Sequence, residues 1–284
     1  MPEASPEDAA GQGGDATLRL DTALAERGIA RSRTHAARLI ADGVVTVDGV
    51  TAFKASLRVR DAQMIALTAS DHYVGRAAHK LIGALDTFGI AVSGRHALDV
   101  GASTGGFSQV LLERGVASVI ALDVGHDQLA AVVAADDRVT VIEGFNAREM
   151  TMVLLQEAAG HPVSADLVVA DLSFISLRMV LPAVVGTIGL DADYVLLVKP
   201  QFEVGRTGIR EGIVHEPGLR ADAISGVLWT GWDLGLGTAG VMSSPIAGNA
   251  GNLEYLVWLS AATGVNPTEW TDRVNQLAYP TAQH

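Results

Sequence analysis

Residues 97–112 read ALDVGASTGGFSQVLL. Ala97, Leu98, Asp99 and Val100 run into a turn made of Gly101, Ala102, Ser103, Thr104, Gly105 and Gly106. Phe107, Val110 and Leu111 then recur at helical spacing. An apolar run that breaks into glycines and opens a helix predicts a strand, a turn and a helix, with a nucleotide-like ligand held over the turn. Gly101 and Gly105 let the backbone approach that ligand closely, Phe107 is expected to pack beneath the turn, and Asp99 is in a position to accept from an amine. A dinucleotide fingerprint would read G-x-G-x-x-G; this turn reads G-A-S-T-G-G.

Working outward, apolar runs alternate with helical segments. The runs are HALDV (96–100), SVIALDV (118–124), RVTVIEG (138–144), ADLVVAD (165–171) and DYVLLVKP (193–200). Helical spacing covers 107–114, 127–135, 147–159 and 176–186. Strands that are apolar throughout and separated by helices predict a doubly wound parallel α/β sheet. GTAGVMSSP (237–245) and NLEYLVWLS (252–260) follow without a long helix between them, which predicts an antiparallel pair on one edge. Ligands of such sheets bind beyond the carboxyl ends of the strands, where this chain places Asp99, Asp123 with Val124, Asn146, Asp171 and Lys199. Asp123 is placed to take both hydroxyls of a ribose, an arrangement common to NAD and S-adenosylmethionine proteins.

The chain has 284 residues, 49% of them apolar and 18% charged, enough for a large core and a second, smaller domain. No run approaches the roughly 18 apolar residues needed to span a bilayer. The first residues, MPEASPEDAAGQGGDA, have neither a basic nor an apolar stretch, so they predict a disordered tail rather than a signal peptide. With no cysteine, disulfides, zinc–thiolate sites and a cysteine nucleophile are excluded, and a cytoplasmic location is expected. The eight histidines are scattered without ligand spacing, so no metal site is expected. The net charge is −12, but residues 19–60 carry eight bases against four acids, a basic module ahead of an acidic body.

That module has its own order. Leu20, Leu24 and Ala25 share one helical face, and Gly28 stops the helix. Ser32 is an N-cap for a second helix with Ala36, Leu39 and Ile40 as its stripe, ended by Gly43. VVTVDGV (44–50) then turns at Asp48-Gly49, a hairpin signal. The stretches RLDTALAERG, SRTHAARLI and GVVTVDG, with Lys54, resemble an S4-type RNA-binding domain. The resemblance implies a surface for RNA at Arg19, Arg31, Arg33, Arg38 and Lys54, where guanidinium forks would meet phosphates and bases.

The larger part resembles a class I (Rossmann-like) S-adenosylmethionine-dependent methyltransferase. More narrowly, it resembles the TlyA family of haemolysin-like ribosomal RNA 2′-O-methyltransferases, related to the FtsJ-type ribose methylases. Besides the opening stretch, the matching segments are YVGRAAHKL (73–81), ALDVGHDQL (121–129), DLVVADLSFISL (166–177), LLVKPQFEVGR (196–206), GIVHEP (212–217) and GNLEYLVWL (251–259). Many members carry a glycine pair where this chain has Ala77-Ala78. The implied organisation is a tail over 1–17, the S4-like domain over 18–64, a linker over 65–79, the methyltransferase domain over 80–270 and a tail over 271–284. The implied active site is Lys80, Asp171, Lys199 and Glu254. The implied cofactor is S-adenosylmethionine and the implied partner is ribosomal RNA within ribosomal subunits, cytidine being the favoured target. Neither DNA nor a membrane is expected as a partner, and the sequence assigns no oligomeric state.

The tetrad has a chemical rationale. A ribose hydroxyl must lose its proton as it attacks a sulfonium methyl; Lys199 is a candidate base or acceptor, with Asp171 orienting it. Lys80 and Glu254 would position the ribose and phosphate. No N-P-P or D-P-P motif follows the fourth strand, where DLSF stands instead, which favours oxygen over amino-group methylation. Phe174 is a candidate pocket wall or core residue, and Trp229, Trp232 and Trp258 read as packing. Two other classes remain open: a membrane-active haemolysin, against which the absence of a spanning or basic amphipathic segment speaks, and a non-catalytic RNA-binding assembly factor.

Overall fold

Leu20 and Leu24 lie one helical turn apart, and both are fully buried with Ala36, Ile40, Val45 and Val59 in the core of the smaller of two units. The computed structural model describes residues 17–41, 43–67, 72–205, 208–248 and 251–279, apart from the side chains of Arg38 and Ala41. It divides the chain between Ser70 and Asp71. The expected tail over 1–17 lies outside the described residues except for Thr17.

In the smaller unit β1 (Thr17–Arg19) leads into α1 (Leu20–Glu26), followed by α2 (Arg33–Ala41), β2 (Val45–Val47), β3 (Val50–Thr51), β4 (Arg58–Arg60) and β5 (Ile65–Leu67). The Ser32 hydroxyl accepts from the His35 amide at 3.1 Å, the expected cap of α2. Asp48 (φ 53°) and Gly49 (φ 81°) make the turn that joins β2 to β3. β2 also pairs with β5, Val47 opposite Ile65. The linker expected over 65–79 therefore starts with a strand of this unit: three residues are too few for a periodic signal, but Ile65 is apolar and buried.

The larger unit runs α3 (Ala77–Phe88), β6 (His96–Val100), α4 (Gly106–Glu113), β7 (Ser118–Leu122), α5 (Ala131–Ala134), β8 (Val139–Ile142), α6 (Met152–Ala159), β9 (Leu167–Ala170), α7 (Leu177–Ile188), β10 (Asp193–Val198), α8 (Pro200–Glu203), α9 (Pro217–Asp233), β11 (Gly237–Ser243), β12 (Tyr255–Ser260) and α10 (Thr271–Ala278). Its seven strands are ordered β11-β12-β10-β9-β6-β7-β8. β8, β7, β6, β9 and β10 are parallel, and β12 runs antiparallel between β10 and β11, as the sequence led one to expect. Successive strand residues feed opposite faces. Leu98, Ile120, Val168 and Leu196 join one core with α7 and α9 residues, while Ala97, Val119, Leu167 and Val195 join the other with α3 and α4. The strand order reverses between β6 and β9, so a crevice opens at their carboxyl ends.

Three expectations need correction. α3 begins at Ala77, within the expected linker. The expected tail from residue 271 holds α10, whose Val274 and Ala278 are buried. Arg220 fixes that helix by donating to the Ala278 carbonyl at 2.7 Å, a buried charge satisfied by backbone oxygens. Trp229 and Trp232 are 42% and 40% exposed, so they do not act as core. Trp258 does pack, and its indole N–H donates to Asp193 at 2.9 Å. Among the described residues no helix is long and apolar enough to cross a membrane, and no cluster of three or more His, Asp or Glu could hold a metal.

Candidate functional site

The turn after β6 is fixed by its glycines. Gly101 has φ +86°, and a Cβ there would come within 3.0 Å of the Asp171 carbonyl oxygen. Gly105 has φ +92° and would meet the Leu129 side chain at 2.8 Å. Both positions need a residue without a side chain. Ala102, Gly105, Gly106 and Phe107 are buried beneath the turn, Phe107 packing with Leu81 and Leu111 as expected.

Asp123, one residue beyond β7, organises the rim. Its Oδ2 accepts from the Ser103 amide and its Oδ1 from the Gly125 amide, both at 2.8 Å. A carboxylate has about four acceptor sites, so two remain for ligand hydroxyls. A cavity of about 430 Å³ lies beside it. Of the expected cofactor residues, Gly101, Ser103, Asp123, Val124, Asn146 and Asp171 line this cavity. Asp99, Ala102, Thr104, Gly105, Gly106 and Phe107 do not. Asn146 caps the turn after β8 by accepting from the Arg148 amide at 3.2 Å. Gln128, Arg148 and Ser173 also line the cavity and were missed by sequence reasoning, although Ser173 lies two residues after Asp171; Phe174, a candidate pocket wall in the sequence, lines it too.

Asp99 departs from expectation. It is fully buried, with Oδ2 accepting from the Ser108 hydroxyl at 2.7 Å and Oδ1 without a hydrogen-bond partner. Burial first, with some help from the nearby Asp171 charge, raises its carboxyl to about 7 against the pull of Ser108.

The four residues of the implied tetrad arrive from distant parts of the chain. β10 pairs with β9 so that Leu196 faces Ala170, and with β12 so that Val198 faces Tyr255. Asp171, Lys199 and Glu254 each flank a paired strand residue, so the register brings all three to one edge of the sheet. Lys199 Nζ lies 2.7 Å from Asp171 Oδ1 and donates to the Ser173 hydroxyl at 2.8 Å. Lys80, from α3, lies 2.5 Å from Glu254 Oε2, and both side chains are buried. Buried charges of this kind persist only when paired. Phe174, at φ +66°, leaves its ring 93% exposed with a tilted contact to Phe202 at 5.4 Å between centroids. It lines the cavity and is not core.

In the smaller unit Arg19 and Arg33 converge on Asp21. Arg19 makes a two-pronged contact at 3.0 Å, and Arg33 reaches Oδ2 at 3.3 Å. Their guanidinium groups hold the Asp21 carboxyl far below the usual carboxylate range. Arg31 and Lys54 are exposed, and the Arg38 side chain lies outside the described ones.

A seven-stranded, mostly parallel sheet with one antiparallel strand inserted near its edge and a crevice at its switch point is the architecture of a class I methyltransferase. The model of the FtsJ-like methyltransferase family matches residues 73–261, and that of the S4 domain matches residues 18–65. The chain is 50% identical over 248 residues to the 16S/23S rRNA (cytidine-2′-O)-methyltransferase TlyA of Mycobacterium tuberculosis, covering 86% of this chain and 90% of that one. It is 35% identical to Hemolysin A of Brachyspira hyodysenteriae, covering 84% and 98%. A solved structure of a candidate hemolysin from Streptococcus thermophilus superposes with a TM-score of 0.70 at 33% identity, covering 93% of this chain and 96% of that one. The chain belongs to the TlyA family, in which an S4 domain precedes an FtsJ-like methyltransferase domain.

The cofactor of this family is S-adenosylmethionine, and the residues present suit it. The cavity falls within the roughly 300–1,000 Å³ usual for small-molecule sites. Asp123 offers free acceptors at its rim, and Asp99 Oδ1 is a buried acceptor with no donor.

Proposed function

We propose that this chain is a 2′-O-methyltransferase acting on ribosomal RNA, with cytidine ribose as the acceptor, through Lys80, Asp171, Lys199 and Glu254. The observation that carries the reading is the Lys199–Asp171 pair at the edge of the cavity, with Lys80–Glu254 following at the same sheet edge. The relative in Mycobacterium tuberculosis, whose name specifies that reaction, supports the substrate.

Bound S-adenosylmethionine supplies an electrophilic methyl group on a sulfonium. Asp123 would bind the cofactor's ribose, and the Gly101–Gly106 turn would carry its amino-acid end. Lys199 is already ion-paired with Asp171 and donates to Ser173, so it meets the ribose oxygen as a donor and steadies negative charge as it develops there. Asp171 is the adjacent acceptor for the hydroxyl proton. The roles expected from the sequence, in which Lys199 is the base or acceptor and Asp171 orients it, are thus exchanged. Lys80 and Glu254 balance the charge behind it, and the exposed Phe174 ring offers a face to an unstacked base. Arg19, Arg31, Arg33, Arg38 and Lys54 of the S4 domain would hold RNA phosphates.

The experiment is transfer of labelled methyl to purified ribosomal subunits, followed by digestion to nucleosides. Label in 2′-O-methylcytidine is expected; label confined to bases, or none from wild-type protein on any subunit, would overturn the reading.

A further inference from the structure

Lys199 is the N-cap of α8, a helix of one turn whose last residue is Glu203. The Glu203 side chain reaches from α8 to the loop that follows β9. Its Oε2 accepts from the Ser176 hydroxyl at 2.5 Å and its Oε1 from the Leu177 amide at 2.7 Å. Ser176 in turn caps α7 by accepting from the Arg178 amide at 3.1 Å. The carboxylate therefore occupies the amino end of α7, where free amides and the helix dipole both favour it.

The two strand-end loops are thus joined at both ends. At one end Lys199 holds Asp171 and Ser173; at the other Glu203 holds Ser176 and Leu177. Between them lies the contact of Phe202 with Phe174. Backbone bonds from Phe202 to Lys199 and from Val204 to Pro200 make α8 a stiff bracket between these anchor points.

We propose that Glu203 is a positioning residue for methyl transfer: by clamping α8 to the amino end of α7 it sets Lys199 Nζ against Asp171 and the incoming ribose oxygen. The inference rests on the function proposed above. It goes beyond the four implied active-site residues, because Glu203 acts through the bracket without touching substrate or cofactor. Loss of the clamp leaves the cofactor cavity intact, since neither Glu203 nor Ser176 lines it. Orientation of reacting groups contributes heavily to such reactions, and displacements of about 1 Å cost up to about a hundredfold.

The test measures cofactor affinity and stoichiometry by calorimetry and methyl transfer to ribosomal subunits per cofactor-binding site. Glu203→Ala is expected to lower kcat by at least about tenfold, with cofactor Kd and RNA KM within about threefold of wild type. Glu203→Gln keeps an acceptor for the Leu177 amide and is expected to recover most of the rate, which a generally weakened fold would not show. Should Glu203→Ala fail to fold, Ser176→Ala breaks the same clamp from the other side and is expected to lower kcat at unchanged cofactor affinity. Wild-type kcat in Glu203→Ala or in Ser176→Ala overturns the proposal, as does equal loss in the Ala and Gln variants of Glu203. Absence of transfer by wild-type protein would count against the proposed function instead.

Discussion

Lys80 Nζ lies 2.5 Å from Glu254 Oε2 across 174 residues of chain, with the two side chains only 5% and 2% exposed. The pair bolts α3 to the strand-end edge that carries Lys199. Removing one partner strands a buried charge. Glu254→Ala is therefore expected to destabilise the larger unit by about 3–5 kcal/mol in denaturant melts. The double variant Lys80→Met/Glu254→Leu should regain most of that stability and remain inactive, which separates the role in folding from the role in methyl transfer. A Glu254→Ala variant that melts within about 1 kcal/mol of wild type would contradict the pairing.

Lys199 faces the opposite test. It is paired but sits at the cavity edge, so its loss should cost rate before stability. Lys199→Ala is expected to lower methyl transfer by about 10²–10⁴-fold while cofactor affinity by calorimetry stays within about threefold. Lys199→Arg should not restore the rate, because a planar fork cannot take the place of a compact ammonium between Asp171 and Ser173.

Asp99 gives the fold a pH dependence of known sign. Burial raises its carboxyl from 3.8 to about 7 in the native state. Between those values the native chain holds a proton that the unfolded chain has released. The stability this group contributes is complete below about pH 4 and is lost as pH rises through 7. Asp99→Asn keeps an acceptor for Ser108 and removes the titration. Between pH 5 and pH 8 the wild type should therefore lose stability relative to the variant, on the order of 3 kcal/mol by denaturant melts. Parallel curves for the two proteins would contradict the buried, raised carboxyl.

Phe174 holds a positive φ and an exposed ring beside the cavity. Stacking of a base on such a ring is worth about 1–3 kcal/mol, so Phe174→Ala should weaken methyl transfer by about 5–150-fold. Phe174→Trp should retain activity, and neither change should alter the melting temperature by more than about 2 °C. A loss of stability in Phe174→Ala would make the ring structural.

Much of the fold could be read in advance because strands buried on both faces are apolar throughout, as in Leu167–Ala170 and Tyr194–Val198. Asp171 and Lys199 stood out as charges ending those runs, Glu254 came only with the family resemblance, and the strand register explains why they meet. β5 was hidden by its brevity. α10 was hidden by polarity, since Val274 and Ala278 are its buried residues in an otherwise polar stretch. The ligand of Asp99 was unreadable because Ser108 lies on the next helix, and the exposure of Trp229 and Trp232 runs against the usual burial of large aromatics. Glu203 left no pattern in a four-residue helix; only its hydrogen bonds identify it.

The central claim is that the Lys199 site methylates ribose in ribosomal RNA. Nucleotide-resolution mapping of 2′-O-methylation on ribosomes from cells with and without the protein tests it most directly. The account predicts at least one cytidine whose ribose methyl vanishes without the protein, returns with the wild-type chain and stays absent with Lys199→Ala. Identical maps in the presence and absence of the protein, or full restoration by Lys199→Ala, would contradict it.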